Sequence, residues 1–489
     1  MSDNINFFFR NRKETDGKLY FKSWLPAVYF STVELLRSST VEAAVKRYNK
    51  ELKVAILICK RKKSSFKFIK KLEGISQMFL KMTQARKQQI FNNAYYVEKR
   101  KREEEEERKN QKIIRDNIAE IINNCVNTMN NGCPPFEVKK VLKEVCGFLR
   151  QLDPTSVNSD DPIASGIIDV FEGVDNVMNI LSTRTKNVLA DVEVSEPEFS
   201  NDMNTMLDDF VNIYDLLGSD FDPVLADPIT FPRNERDLDK RRILLTIFDL
   251  LEGLRHCWSL RPLLDKNEYS ENSYVIHAVS RVVDPIFNYY KWNLKRSWES
   301  VSNSSQNRKK LMRSIHSGDR PDLQVLLMLD SVNFELVFTE ISRLVPRSDK
   351  RNYDWKKLNR LCKDGIDARI NELFKGKAVE NDEARYLINE LQQIPFIGLQ
   401  VIGNRILVFG IDFYYGSFYR SFKIWEYTVP LKVSGRQVVQ DFLKNSLKVK
   451  CYLEKKFNDL VRINDKIHSL PNIVGNEKPL SSMSISTTL

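Results

Sequence analysis

The 489-residue chain has only four histidines and seven cysteines, and these shortages exclude several chemistries at the outset. Its cysteines (Cys59, Cys125, Cys133, Cys146, Cys257, Cys362 and Cys451) are odd in number and scattered, with no Cys-x-x-Cys pair. Neither a disulfide framework nor a cysteine-rich zinc site is expected from that pattern, which suits a reducing compartment. His256 and Cys257 are adjacent in a run of helical spacing, where neighbours point about 100° apart and make poor joint ligands. No apolar run approaches the ~20 residues of a membrane span. At the start, Phe7-Phe8-Phe9 is closed by Arg10, without a cationic leader or a small-residue cleavage site. The expectation is an intracellular protein, nuclear or cytoplasmic, with no membrane partner. No internal repeat of fixed period is present.

What the chain has is charge, unevenly placed. The formal net charge is +11. Residues 1–100 hold 22 Lys and Arg against 8 Asp and Glu, or +14, whereas residues 151–240 hold 5 against 20, or −15. The basic region therefore has two rival partners, an outside polyanion and the chain's own acidic segment. Lys60-Arg-Lys-Lys63 and Lys99-Arg-Lys-Arg102 read as nuclear import signals, as nucleic-acid contacts, or as solvated helix faces.

Apolar spacing predicts helices over Pro26 to Asn49, Gln84 to Asn127, Phe136 to Leu152, Pro162 to Leu189, Asp202 to Leu217, Leu238 to Leu260 and Gly435 to His468. Leu52 to Cys59 suits a short strand or a helix end equally. Lys99 to Lys112 is almost wholly charged and has no apolar heptad register, so it reads as a solvent-exposed connecting helix. These features divide the chain into a basic helical region (1–112), a helical bundle with acidic loops (113–264), an α/β domain (265–468) and a disordered tail (469–489). The overall class is α+β.

The α/β domain is organised around Arg320 to Arg343. Leu323 to Leu329 and Phe334 to Ile341 are apolar runs joined by Asp330-Ser-Val-Asn333, the pattern of a β-hairpin. Antiparallel pairing would bring Asp322, at the mouth of the first strand, to Glu340, near the end of the second. Two oxygen donors on neighbouring strands suit a hard Mg²⁺ or Mn²⁺ ion. Phe396 to Val401, Arg405 to Phe413 and Phe418 to Val429 read as three further strands. Tyr414, Tyr415, Phe418 and Tyr419 crowd one hairpin, either to stack bases or to pack.

Pro321-Asp322 followed by Glu340-Ile341-Ser342 resembles the PD-(D/E)XK nuclease-like motif, of the kind found in large sets of uncharacterised fungal proteins. The likeness runs from about Lys266 to Ile463, with Ser342 where the family carries its lysine. It implies an αβββαβ restriction-endonuclease-like core. Ser270 would cap a first helix carrying Glu271, and Tyr353 to Phe374 would form the crossover helix. By that resemblance Asp322 and Glu340 hold Mg²⁺ or Mn²⁺, and Glu271 supports the metal or water, with Glu299 its rival. Lys356, Lys357 and Lys363 could each replace the missing lysine, with Lys357 favoured. Arg308, Lys309, Lys310, Arg313 and Arg320 form a basic approach to the same edge, either a phosphate contact or a plain solvated loop.

Two functions follow as expectations. One is a nucleic-acid-associated, metal-dependent phosphodiesterase acting on DNA or RNA. The other is a catalytically silent nuclease-like platform, with a protein partner on the helical region. A cleft lysine beside Asp322 and Glu340 separates them.

Overall fold

The structure is a computed structural model that describes residues 25–26, 41–61, 66–132, 134–170, 181–191, 201, 204–205, 207–209, 236–260, 270–311, 317–329, 332–342, 348–377 and 382–472. Arg313, residues 27–40 of the helix expected from Pro26, most of the helix expected over Asp202 to Leu217, Lys62, Lys63 and the tail beyond residue 472 lie outside them. The chain divides into two compact units, Met1–Lys109 and Asn110–Leu489.

The first unit is helical, with α1 (Val41–Arg61), α2 (Phe66–Lys81) and the beginning of α3 (Gln84–Asn131). α1 runs straight through Leu52 to Cys59. Tyr48, Leu52, Ala55 and Cys59 form one buried stripe at helical spacing, which a strand could not present on a single face. That stripe shares a core with Leu72, Ile75 and Phe79 of α2, Tyr48 meeting Phe79 edge-on at 4.6 Å between ring centroids. α3 is unbroken, as its spacing predicts, and its exposed charged stretch includes a Glu105–Lys109 pair at 3.2 Å.

The second unit contains α4 (Phe136–Gln151), β1 (Ile167–Asp169), α5 (Thr183–Ala190) and α6 (Leu238–Ser259). A helix α7 follows, running as Glu271–Tyr274, a π turn Val275–Val279 and Ser280–Val283. Then come β2 (Leu294–Trp298), α8 (Asn303–Leu311), β3 (Leu323–Leu329), β4 (Val332–Ser342), α9 (Ser348–Leu373) and α10 (Asp382–Gln393). β5 (Phe396–Ile402), β6 (Arg405–Tyr414), β7 (Phe418–Thr428) and α11 (Arg436–His468) complete it. The seven strands form one mixed sheet in the order β1-β7-β6-β5-β4-β3-β2. β2 to β4 are an antiparallel meander, α9 and α10 cross over to β5, which runs parallel to β4, and β6 and β7 return antiparallel.

The expected hairpin, the three later strands, the crossover helix and the last helix are all present. Ser270 caps α7 as expected, its hydroxyl accepting from the Ser273 N–H at 3.2 Å. Elsewhere the structure differs from the expectation. Residues 162–189 are not one helix: Pro162 opens a 3₁₀ turn, Gly166 ends it in the left-handed region (φ 79°), and Ile167-Ile168 enters the sheet parallel to β7. The bundle expected for 113–264 is thereby joined to the α/β domain, because β1 belongs to the sheet and α6 buries Ile247, Leu251 and Leu254 in the sheet's own apolar core.

The α9-facing side of the sheet follows from pleat and register. Parallel pairing sets Phe338 against Gly398, Glu340 against Gln400 and Ser342 against Ile402, so these alternate residues share one face. Phe396, on that face, leaves no room for a side chain on α9: a Cβ at Gly365 would lie 2.2 Å from its ring. Trp355 of α9 lies at 4.4 Å from the Phe409 ring, and its indole N–H donates to Asp169 of β1 at 2.7 Å.

That last bond ties β1 to the crossover helix. A cycle of Trp355→Phe and Asp169→Ala, read by urea unfolding, is expected to give a coupling energy of about 1.5 kcal/mol or more, the range for a buried hydrogen bond to a charged group. A coupling near zero would show that β1 is held by the sheet alone.

Candidate active site

Asp322 and Glu340 are brought together by the β3–β4 pairing. The Asp322 N–H donates to Thr339 O at 3.0 Å, continuing the ladder, and the Ile341 N–H donates to Asp322 Oδ2 at 2.6 Å. Glu340, 4% exposed, points towards α9, where Lys357 Nζ lies 2.6 Å from its Oε1. The same ammonium donates to Arg320 O at 2.6 Å. A lysine from the helix thus stands at the carboxylate pair that the strand residue Ser342 cannot serve.

The other two candidate lysines face elsewhere. Lys356 pairs with Asp160 at 3.1 Å and Asp161 at 2.9 Å, and fully buried Lys363 pairs with Asp367 at 2.8 Å. Adjacent positions on a helix diverge by about 100°, which is why only one of Lys356 and Lys357 reaches the cleft.

Asp354, one helical turn before Lys357, was not anticipated. Its Oδ2 accepts from Ser342 Oγ at 2.8 Å, so Ser342 is bonded to a third acid. The signal was present as the i, i+3 spacing of Asp354 and Lys357, but nothing in one sequence distinguishes it from an ordinary surface pair.

Burial raises the carboxyls of Asp322, Glu340 and Asp354. Lys357 acts against burial at Asp322 and Glu340, and Asp354 adds to it at both. For Lys357 itself burial works to lower the ammonium, but Glu340, Asp322 and Asp354 outweigh it and leave it raised. The cluster favours a proton or cation among its acids.

Glu271 is placed differently from the expectation. It forms an ion pair with Lys350, whose charge in turn lowers Asp354. Its rival Glu299 acts on Asp322 itself. Glu299 is exposed, sits in the left-handed region (φ 49°), donates its N–H to Asp322 O at 2.9 Å, and its charge raises Asp322. A non-glycine residue held there is strained by roughly 1–2 kcal/mol.

The basic approach is also reassigned in part. α8 is a helix, its first N–H groups donating to Glu335, from Asn303 at 2.7 Å and from Ser304 at 3.2 Å. Arg308 and Lys309 are buried: Arg308 pairs with Asp364 at 2.6 Å and Asp319 at 3.0 Å, and Lys309 pairs with Asp319 at 2.8 Å. Buried ion pairs of this kind are structural, so these two do not form a solvated approach; Lys310 and Arg320 remain exposed. The aromatic hairpin is packing. Tyr414, Phe418 and Tyr419 are buried, and only Tyr415 is exposed.

The Asp319 clamp sits three residues before Asp322 and fixes the approach to β3. Burial alone would raise the Asp319 carboxyl, but Arg360, Lys309 and Arg308 outweigh it and hold it down at about 2. A depressed carboxyl contributes stability above its ordinary value of 3.8, which is lost as pH falls through about 2. Asp319→Asn is therefore expected to cost about 2 kcal/mol or more at neutral pH. In urea unfolding at a series of pH values the deficit should narrow across that acid window; a deficit independent of pH would contradict the clamp.

Comparison with known proteins adds no relative: the chain matches no family model, no curated protein and no solved structure.

Proposed function

We propose that the second unit is a metal-dependent phosphodiesterase acting on nucleic acid, whose catalytic lysine is supplied by α9. The observation that carries this reading is Lys357 Nζ at 2.6 Å from Glu340, beside Asp322. The succession α7, β2, β3, β4, α9, β5, with α8 inserted between β2 and β3 and α10 between α9 and β5, supports it, since without those two insertions it is the αβββαβ order of a PD-(D/E)XK core.

Asp322 and Glu340 offer hard oxygen donors from neighbouring strands, which suits Mg²⁺ or Mn²⁺. Among the described residues no group of three or more His, Cys, Asp and Glu is placed to hold an ion. An ion here would be held by two carboxylates only, with water and substrate phosphate completing its shell. When bound, such an ion supplies Lewis-acid charge at the scissile phosphate. Lys357 would face the same phosphate and offset the negative charge that develops on it. Asp354 holds the Ser342 hydroxyl and, one turn away on α9, helps to orient Lys357. Glu299 takes the supporting role first given to Glu271.

A second reading is the silent platform for a protein partner, favoured by the low exposure of Glu340 and its closed ion pair with Lys357. Cleavage separates the two. With labelled single- and double-stranded DNA and RNA and added Mn²⁺ or Mg²⁺, wild type should cut, and Asp322→Asn and Lys357→Met should each lose about 100-fold or more in rate. Equal, background-level cleavage by wild type and Asp322→Asn would leave the platform reading.

A further inference from the structure

Around the second unit's carboxylate clusters the buried positive charge is already committed. Arg308, Lys309, Lys356, Lys357 and Lys363 are all spent on carboxylates. The first unit differs. On α1, Lys46, Lys50 and Lys53 are exposed and follow one another at i, i+4 and i+7, with Leu57 and Lys60 continuing the line. That line lies opposite the buried stripe of Tyr48, Leu52, Ala55 and Cys59, so packing α1 on α2 turns it to solvent. Nearby charges are paired, Arg47 with Glu51 at 3.0 Å and Lys60 with Glu73 at 2.6 Å. No ion pair joins Lys46, Lys50 or Lys53 to a carboxylate of any described residue.

We propose that this lysine face of α1 is a docking surface for the phosphate backbone of a polynucleotide, bound without base readout; it rests on the nucleic-acid reading of the second unit. A helical rise of 1.5 Å per residue puts Lys46 and Lys53 about 10 Å apart along the axis, roughly three steps of one duplex strand at 3.4 Å each. Lysine binds phosphate as a point charge, which gives register-free affinity with no sequence information. An anionic lipid surface is disfavoured, because a helix lying on a bilayer inserts an apolar face, and that of α1 is already buried against α2.

The test uses the full chain in EDTA, with fluorescence anisotropy of a labelled duplex of about 20 base pairs over a salt series. Removing three phosphate contacts in Lys46→Ala/Lys50→Ala/Lys53→Ala should lower the magnitude of the log K against log salt slope by about 3 and weaken binding at least tenfold at low salt. The corresponding triple arginine variant should keep the wild-type slope, which separates lost charge from lost fold. Wild-type affinity and slope in the alanine variant would overturn the assignment. So would a duplex that does not bind while phosphatidylserine vesicles do. Because EDTA suppresses metal-dependent cutting, binding is read apart from cleavage: a protein that binds with the expected slope in EDTA, yet does not cleave when Mg²⁺ or Mn²⁺ is supplied in excess, leaves this assignment standing and removes the nuclease reading.

Discussion

The buried ion pair between Lys357 and Glu340 depends on the register of α9 across the sheet. A lysine can reach a carboxylate on β4 only if the helix sits at one height and one rotation over β4 and β5. Both are set by shape: Phe396 fills the space that Gly365 leaves open, and Trp355 lies against Phe409. On the strand side the constraint is parity. A one-residue slip of β4 would send Phe338, Glu340 and Ser342 to the opposite face together, so the apolar contact that positions α9 also decides that Glu340 faces it.

α9 gathers charges from distant parts of the chain. Along its length Asp354 meets Ser342, Lys357 meets Glu340, Arg360 lies 3.7 Å from Asp319, and Asp364 takes Arg308. On another side Lys356 takes Asp160 and Asp161 while Trp355 takes Asp169. The segment before β1 and the loop before β3 are therefore tied to one rigid element. Asp322 inherits its position from this arrangement, because the clamp on Asp319 and the Lys357 bond to Arg320 O fix the backbone that leads into it.

The sequence made legible what depends on local pattern. Apolar runs bounded by turn residues marked β3 to β7, the 3.6-residue stripe marked α9, and the divergence of adjacent helical positions limited the cleft lysine to one of Lys356 and Lys357. What stayed hidden depends on partners remote in the chain. β1 has only three residues, and its sheet neighbour β7 follows it by most of the unit. β2 is a polar edge strand, Leu-Lys-Arg-Ser-Trp, whose exposed Lys295 and Arg296 guard the edge and erase the alternation that would announce a strand. Arg308 and Lys309 looked like solvent-facing charge because Asp319 and Asp364, which bury them, are separated from them in sequence. The left-handed backbone at Glu299, whose charge acts on Asp322, is likewise a feature that no composition rule reveals.

Stability alone does not account for the end of the sheet where Asp322, Glu340, Asp354 and Lys357 meet. Apolar side chains of similar volume would cost less to bury than three acids and one ammonium, since desolvation of buried charges commonly offsets or exceeds their mutual attraction. The raised carboxyls of Asp322, Glu340 and Asp354 carry that cost, which Lys357, helped by Lys350 at Asp354, only partly relieves. The charged clamp around Asp319 is different in kind, because three cations surround its carboxylate and hold it low. Within one unit, then, one buried charge cluster satisfies itself and the other has more acid than base. An excess of oriented acid beside a fixed ammonium is the arrangement a preorganised electrostatic site needs, since fixed charges there require no reorganisation when charge develops on a substrate. Local rules of burial are broken where function requires it, and in the second unit the less balanced of the two clusters lies on the hairpin that carries Asp322 and Glu340.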